Sequence, residues 1–324
     1  MKLGILGAGS IARKMAATVR GMEGAELFAI ASRDPERARA FAEEEGAERA
    51  YGSYEELVND PAVELVYIAT PHSRHCEDAL LCIAAGKPVL CEKAFTMNAA
   101  EAERVLFAAK EQGVFVAEAI WTRYMPSRKI IDDLLASGII GTPKVLTANL
   151  SYPIDTVRRL IDPELCGGAL LDVGIYGLTF AAMHFGTDIE RMESSVAMTD
   201  TGVDASESIT LHYADGRMAV LNHSMRCRSD RMGIVHGTEG YLVVDNINDP
   251  LSVSVYDAAD TLIKRVEMPP QITGYEYEVA ECAECLRKGL TEPPSMPHAE
   301  TIAMMRRMDA LRAQWGLVYP KERR

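Results

Sequence analysis

The stretch KLGILGAGSIARKM at residues 2–15 constrains this chain more than any other. A short apolar run ends in a glycine loop, and helical spacing starts directly behind it. Gly7, Gly9 and Ala12 take a G-x-G-x-x-A spacing. Glycine there permits a tight turn and lets bare backbone approach an anion, which the N–H groups and dipole of the helix start can hold. A lone glycine pattern is weak evidence, since a purely structural turn looks the same. Here the unit recurs: AELFAIAS (25–32) precedes PERARAFAEEEG (35–46), VELVYIAT (63–70) precedes RHCEDALLCIAAG (74–86), and PVLCEK (88–93) precedes a helix over 99–112. VFVAEA (114–119) closes the series. Such alternation predicts an α/β domain with a doubly wound parallel sheet covered on both faces.

After WTRYMPS (121–127) the pattern changes. A helix over 127–137 leads into strands with period-two alternation. SESITLHY (206–213) and RMAVLNHS (217–224) flank Ala-Asp-Gly, a hairpin signal. Residues 233–245 and the runs near 251–256 and 261–266 read as further hairpins. The expectation is a dinucleotide-binding domain over 1–120 and a substrate and oligomerisation domain over 121–298, with a last helix, 299–315, packing back on the first. A mainly antiparallel sheet covered on one face leaves the other open. That predicts a homo-oligomer, most simply a two-fold dimer.

At 324 residues the chain is long enough for two cores, and its net charge of −13 argues against a nucleic-acid partner. Seven cysteines, an odd number, fit a reducing cytoplasm better than a disulfide framework. Cys282 and Cys285 form a lone C-x-x-C within YEVAECAECLRKG, which reads as an amphipathic helix, so no metal site is expected. The chain opens on a strand without signal-peptide character, and no apolar run is expected to span a membrane. The expected partners are therefore a small-molecule substrate and further copies of the chain, in the cytoplasm.

The pyrophosphate contacts expected of the first loop are Gly7, Gly9, Ser10, Ile11 and Ala12. About 20 residues on, an NAD site places an acid against the ribose 2′-hydroxyl. Ser32 and Arg33 stand there instead. Asp34 precedes Pro35, and an N-cap with proline at the first helical position explains both. Arg33, joined by Arg37 one turn on, can fork onto a 2′-phosphate, which favours NADP(H) over NAD(H). The alternative is that both arginines are solvated and Asp34 binds the ribose. In a doubly wound sheet, ligands lie at the carboxyl ends of the strands. Thr70, Pro71 and His72 end the third strand read from the sequence and belong near the cofactor, with His75 beside them, although such histidines more often pack than react.

Glu92 and Lys93 end the next strand on that same edge and are expected at the cofactor, the lysine beside the nicotinamide ring and substrate. A hydride moving to or from a carbinol carbon needs a proton moved at the adjacent oxygen. A lysine ammonium can polarise that oxygen or lower the pKa of a neighbouring acid. The second domain offers CGGALLDVGIYGLTFAAMHFG (166–186), with Asp172 and then Tyr176 at a helix opening. A tyrosine, with a pKa near 10, needs a nearby cation to act at neutral pH, and Lys93 could be that cation. Read alone, Tyr176 is more commonly a packed aromatic and Asp172 an N-cap.

These pieces, with ASRDPERA, ATPHSRH, GKPVLCEKAFTMNAAEAE, EAIWTRYMPS and GGALLDVGIYGL in order, resemble the glucose–fructose oxidoreductase / inositol dehydrogenase (Gfo/Idh/MocA) family over most of the chain. The resemblance implies a Rossmann domain, an open-faced α/β domain and redox chemistry on a sugar, cyclic polyol or diol. Lys93 falls on the lysine of the family's E-K-P motif. Ala94 replaces the proline, so a cis peptide there is expected to be lost. Asp172 and Tyr176 fall on D-x-G-x-H, with tyrosine for histidine, which is similar to the dimeric dihydrodiol dehydrogenase subgroup. In that subgroup the tyrosine is the general acid/base and the lysine supports it, with NADP(H) as cofactor. Trp121 would line the substrate pocket, as would Arg123; a core position is an equal expectation for Trp121. Two alternatives are a glycoside hydrolase that recycles bound NAD and a non-catalytic NADP sensor.

Overall fold

A computed structural model of the chain describes residues 1–323. The chain divides into two units, Met1–Tyr124 with Gln271–Met305, and Met125–Pro270 with Arg306–Arg324.

The first unit begins β1 (Lys2–Leu6), α1 (Ser10–Arg20), β2 (Glu26–Ala31), α2 (Pro35–Glu45), β3 (Arg49–Tyr51), α3 (Tyr54–Val58), β4 (Leu65–Ile68), α4 (His72–Ala84), β5 (Val89–Glu92), α5 (Ala99–Gln112) and β6 (Val116–Ala119). The six strands form one parallel sheet in the order β3-β2-β1-β4-β5-β6. Leu3, Ile5, Leu65, Tyr67 and Leu90 are wholly buried, as strands covered on both faces must be. The helices start where sequence chemistry allows. Asp34 accepts from the amides of Glu36 and Arg37 ahead of α2, and Asn98 accepts from Glu101 N at 3.0 Å ahead of α5. The strand order reverses between β1 and β4, so their carboxyl ends border the crevice where such sheets bind ligands.

The second unit carries α6 (Pro126–Ala136), β7 (Pro143–Ser151), α7 (Arg158–Ile161), a π-helical turn (Leu170–Gly174) and α8 (Ile175–Phe185). Next in the chain come β8 (Ile189–Met198), β9 (Asp204–Tyr213), β10 (Met218–Ser224), β11 (Gly233–Gly237), β12 (Gly240–Val244), β13 (Ser252–Asp257) and β14 (Leu262–Glu267). With β7 they make an eight-stranded sheet in the order β14-β13-β12-β11-β7-β10-β9-β8. Every pairing is antiparallel except β10 with β7. The π turn and α8 pack on β7 and β10, covering one face. On the other face Thr147, Thr210, Val220, Ile234 and Val243 are half-buried.

Two expectations need correction. The pattern change after residue 120 assigns everything to 298 to the second domain, but residues 271–298 count with the first unit. The reason is α9 (Glu276–Arg287): its Val279, Cys282 and Cys285 join the core formed by Leu3, Ile5 and Leu65. Burial pushes both thiols above the usual cysteine value. The unit boundary then falls inside α10 (His298–Trp315). Second, one stretch, Pro163–Phe185, is long and apolar enough to cross a membrane. Of its most apolar window 94% is buried, and a helix apolar all round is what a protein core requires.

Candidate active site

The glycine loop is built for close backbone approach. Gly7 has φ +97, and a β-carbon there would lie 2.9 Å from the carbonyl oxygen of Ala69, at the end of β4. Only glycine tolerates that conformation and contact. Beside Gly9 the opposite holds: a β-carbon would meet nothing within 4 Å. Gly9 caps α1 without a side-chain acceptor, so Ser10, Ile11 and Ala12 enter the helix with main-chain donors facing that open side. These features fit the pyrophosphate of a dinucleotide.

The end of β2 resolves as its sequence suggests. Asp34 spends its carboxylate capping α2, a contact worth about 1 kcal/mol. Ser32 Oγ accepts from the Asp34 amide at 3.2 Å. Arg33 is exposed. Arg37 donates through Nη2 to Ala8 O at 2.7 Å, which fastens a guanidinium to the glycine loop itself.

At the end of β4, Thr70 Oγ1 donates to Asp78 Oδ2 at 2.7 Å, and Asp78 also accepts from Arg74 at 2.7 Å. Pro71 precedes α4, whose first residue is His72. His75 is a correction. It is 1% exposed, and its nitrogens face Thr70 O at 2.8 Å and Ala94 O at 2.9 Å. Burial pushes its pKa below the usual imidazole range, against the pull of the two carbonyls. His75 thus lies between the end of β4 and the residue after Lys93, donates to one of the two carbonyls as a neutral ring, and presents no nitrogen to a cofactor.

Lys93 is half-buried just past β5. Glu92 accepts a short hydrogen bond from the Tyr67 hydroxyl, and its other oxygen accepts from Lys93 N at 3.2 Å. Burial and the Glu92 carboxylate push the Tyr67 phenol well above its ordinary value, which keeps it a donor. The Lys93–Ala94 peptide is cis, so a geometry expected to vanish with the proline is present without it.

Trp121 and Arg123 lie in a 3₁₀ turn, Trp121–Arg123. The indole stacks on Tyr275 at 4.5 Å between centroids and is 5% exposed. Gly274 makes the stack possible, because a β-carbon there would fall 2.3 Å from Trp121 Cζ3. Packing therefore places Trp121, and only an edge of the ring remains to meet a ligand. Arg123 corrects its expectation outright. It is 3% exposed, donates to Ser295 O at 3.0 Å and pairs with Glu300. Its guanidinium is thus committed within the protein, to Ser295 O and to the half-buried Glu300.

In the second unit, Asp172 sits inside the π turn and not at an N-cap. It is 7% exposed, and Arg159 of α7 donates both terminal nitrogens to its Oδ1 at 3.0 and 3.1 Å. Tyr176 is the second residue of α8, 6% exposed. An extra residue in the helical turn re-aims the side chains beyond it, and π turns recur at functional sites for that reason. Sequence reasoning missed Arg159, Tyr67 and Tyr275, whose partners are distant in the chain.

Residues 1–119 match an oxidoreductase family with an NAD-binding Rossmann fold, GFO_IDH_MocA, and residues 129–243 match the GFO/IDH/MocA C-terminal domain. Trans-1,2-dihydrobenzene-1,2-diol dehydrogenase of Mus musculus is 36% identical over 337 residues, covering 100% of this chain and 99% of that protein. Its Homo sapiens counterpart is 33% identical over 335 residues, with the same coverage. Among solved structures, a 3-ketoreductase from Actinomadura kijaniata in complex with NADP and TDP-benzene superposes with a TM-score of 0.87 at 24% identity, covering 97% of each chain. An aldose-aldose oxidoreductase from Caulobacter crescentus gives 0.85 at 21% identity, over 98% of this chain and 99% of that one.

Proposed function

Because the chain belongs to the Gfo/Idh/MocA oxidoreductase family, we propose that it moves hydride between NADP(H) and a carbinol or carbonyl carbon of a sugar, cyclic polyol or trans-dihydrodiol. The observation that carries this reading is the end-to-end likeness to the trans-diol dehydrogenases. When bound, the nicotinamide gives or takes the hydride. Tyr176 gives or takes the proton at the substrate oxygen, and the Lys93 ammonium puts positive charge there. Asp172, gripped by Arg159, orients the Tyr176 segment. The glycine loop holds the pyrophosphate, and the edge of Trp121 limits the substrate. The test is a screen of trans-diols, inositols and aldoses, following NADPH absorbance with NAD in parallel. Turnover of a diol or sugar supports the reading; glycoside cleavage without net redox replaces it.

Arg33 and Arg37 favour NADP(H), with Asp34 committed to its helix. The Arg33→Ala protein should need roughly 10-fold more NADP for half-saturation, with NAD nearly unaffected, as expected for a lost charge-assisted bond; Arg37 stays in place because it also holds Ala8 O. An equal rise for both cofactors would remove the 2′-phosphate from the reading.

The half-buried face around Val220 and Ile234 suits a second copy of the chain, giving a two-fold dimer. Val220→Lys should then sediment as a monomer where the parent sediments as a dimer. A monomeric parent would end this part of the proposal.

A further inference from the structure

The strands beneath the Asp172–Tyr176 segment carry polar groups that a sheet core does not need. Along β9, Ala205, Glu207, Ile209, Leu211 and Tyr213 face inward; along β10, Ala219, Leu221 and His223 do. Glu207 and His223 are directly opposite in the antiparallel register. Their Oε1 and Nδ1 lie 3.2 Å apart, and both side chains are wholly buried. A register shift where β8 meets β9 pairs Met198 with Asp204, and Asp204 is likewise fully buried, with Oδ2 accepting from Leu170 N at 2.5 Å. Asp204 Oδ1, both Glu207 oxygens and both His223 nitrogens make no hydrogen bond, the 3.2 Å approach of Oε1 to Nδ1 included.

Three glycines receive these groups. A β-carbon at Gly168 would lie 2.1 Å from Asp204 Oδ1, one at Gly174 2.2 Å from Glu207 Oε1, and one at Gly177 2.0 Å from His223 Nε2. The polar groups therefore run along the backbone of the segment that bears Asp172 and Tyr176. Burying polar groups without partners costs about 1–3 kcal/mol each, so something other than stability accounts for their presence.

We propose that Glu207 and His223 are positioning residues, a buried carboxyl–imidazole pair in contact at 3.2 Å that presses on Gly174 and Gly177 and so sets the orientation of Tyr176. The proposal rests on the reading of Tyr176 as the proton-handling group. Burial pushes Glu207 up to about 8 and His223 down to about 3, so near neutrality an uncharged carboxyl lies against an uncharged imidazole. Asp204 faces Glu207 and is pushed up to about 8 by burial and then by Glu207. Tyr319 is the further ionisable group that interacts with Asp204; Arg312, Cys166 and Glu322 act on Tyr319 in turn, and its hydroxyl donates to Gly167 O at 2.8 Å. Above pH about 8 the Glu207 proton is lost and the pair with it. A carboxyl whose folded pKa is raised contributes stability below its ordinary pKa of about 4 and loses it as pH climbs through the raised value.

The test compares the parent with Glu207→Ala and Glu207→Gln. Glu207→Ala should lower kcat roughly 10- to 100-fold with KM within about twofold, as for a small misplacement of a reacting group. Glu207→Gln, a neutral donor of nearly the same shape, should restore most of that loss and remove the fall in kcat near pH 8 expected of the parent. Unfolding free energy should decline from about pH 5 to pH 8 in the parent relative to Glu207→Gln. Backbone amides of 168–178 should exchange faster in Glu207→Ala alone. Parent-like kcat in Glu207→Ala, or an alkaline limb unchanged in Glu207→Gln, overturns the proposal. Should Glu207→Ala not fold, His223→Gln takes its place with the same expectations. If no substrate is turned over at all, the functional reading has failed, and the unfolding and exchange arms decide the proposal alone.

Discussion

Replacing Lys93 by methionine is expected to remove turnover while leaving the cofactor bound. Methionine keeps most of the length and the apolar stem of lysine and discards the ammonium. Lys93 is half-buried at the tip of β5, above the buried Leu90 and Cys91, so the strand beneath stays packed. The pyrophosphate and ribose contacts proposed for the cofactor lie on other strand ends, at Gly7, Gly9 and Arg33. A charge that acts on the developing oxyanion is worth roughly 100- to 10,000-fold in kcat, whereas one that merely aids binding moves KM. The expected result is therefore a collapse of kcat, with NADP(H) affinity by fluorescence titration within about threefold of the parent. Wild-type turnover in Lys93→Met would remove Lys93 from the chemistry.

The parallel sheet is legible in the sequence because each strand is buried on both faces and reads as an unbroken apolar run. Strand order is not legible, since no local signal says which runs pair. The three-residue β3 and the short α3 fall below the length at which a period shows. In the second unit, the hairpins around Ala-Asp-Gly and over 233–245 announce themselves through turn chemistry. Strands β7 and β8 do not: β8 lies at the sheet edge with exposed or half-buried residues throughout, and its IERMESSVAM shows no regular alternation. Helix α9 reads as part of the domain that precedes it in sequence, because nothing local to a helix tells which core it joins.

Candidate-site residues divide on the same line. The glycine loop and the Asp34 cap depend on neighbours within a few positions, and local sequence suffices for both. Arg123 depends on Ser295 and Glu300, and Trp121 on Gly274 and Tyr275, all more than 150 positions away. An arginine beside a motif reads naturally as a ligand contact, yet distant partners have consumed this one. Glu207 and His223 are the instructive omission. Once β9 and β10 are assigned, the period-two pattern already puts a glutamate and a histidine on the core-facing positions. A charged residue in an inward register is a signal of function that patterning alone can raise.

Tyr176→Phe is expected to produce the second large loss. Phenylalanine keeps the ring that packs at the start of α8, so the 6%-exposed site should fold unchanged and bind substrate with a similar KM. The hydroxyl that would carry the proton disappears, and general acid–base groups contribute typically about 100- to 10,000-fold. A fall in kcat of that order, with KM within about threefold, is the outcome consistent with Tyr176 as acid and base. The sharper measurement combines it with Lys93→Met. If the phenol and the ammonium serve one oxygen in one transition state, removing the second after the first costs little more, because groups that act as a unit are non-additive. Losses that multiply in the doubly substituted protein would mean that the two side chains contribute independently, and the joint action of phenol and ammonium on one oxygen would have to be abandoned.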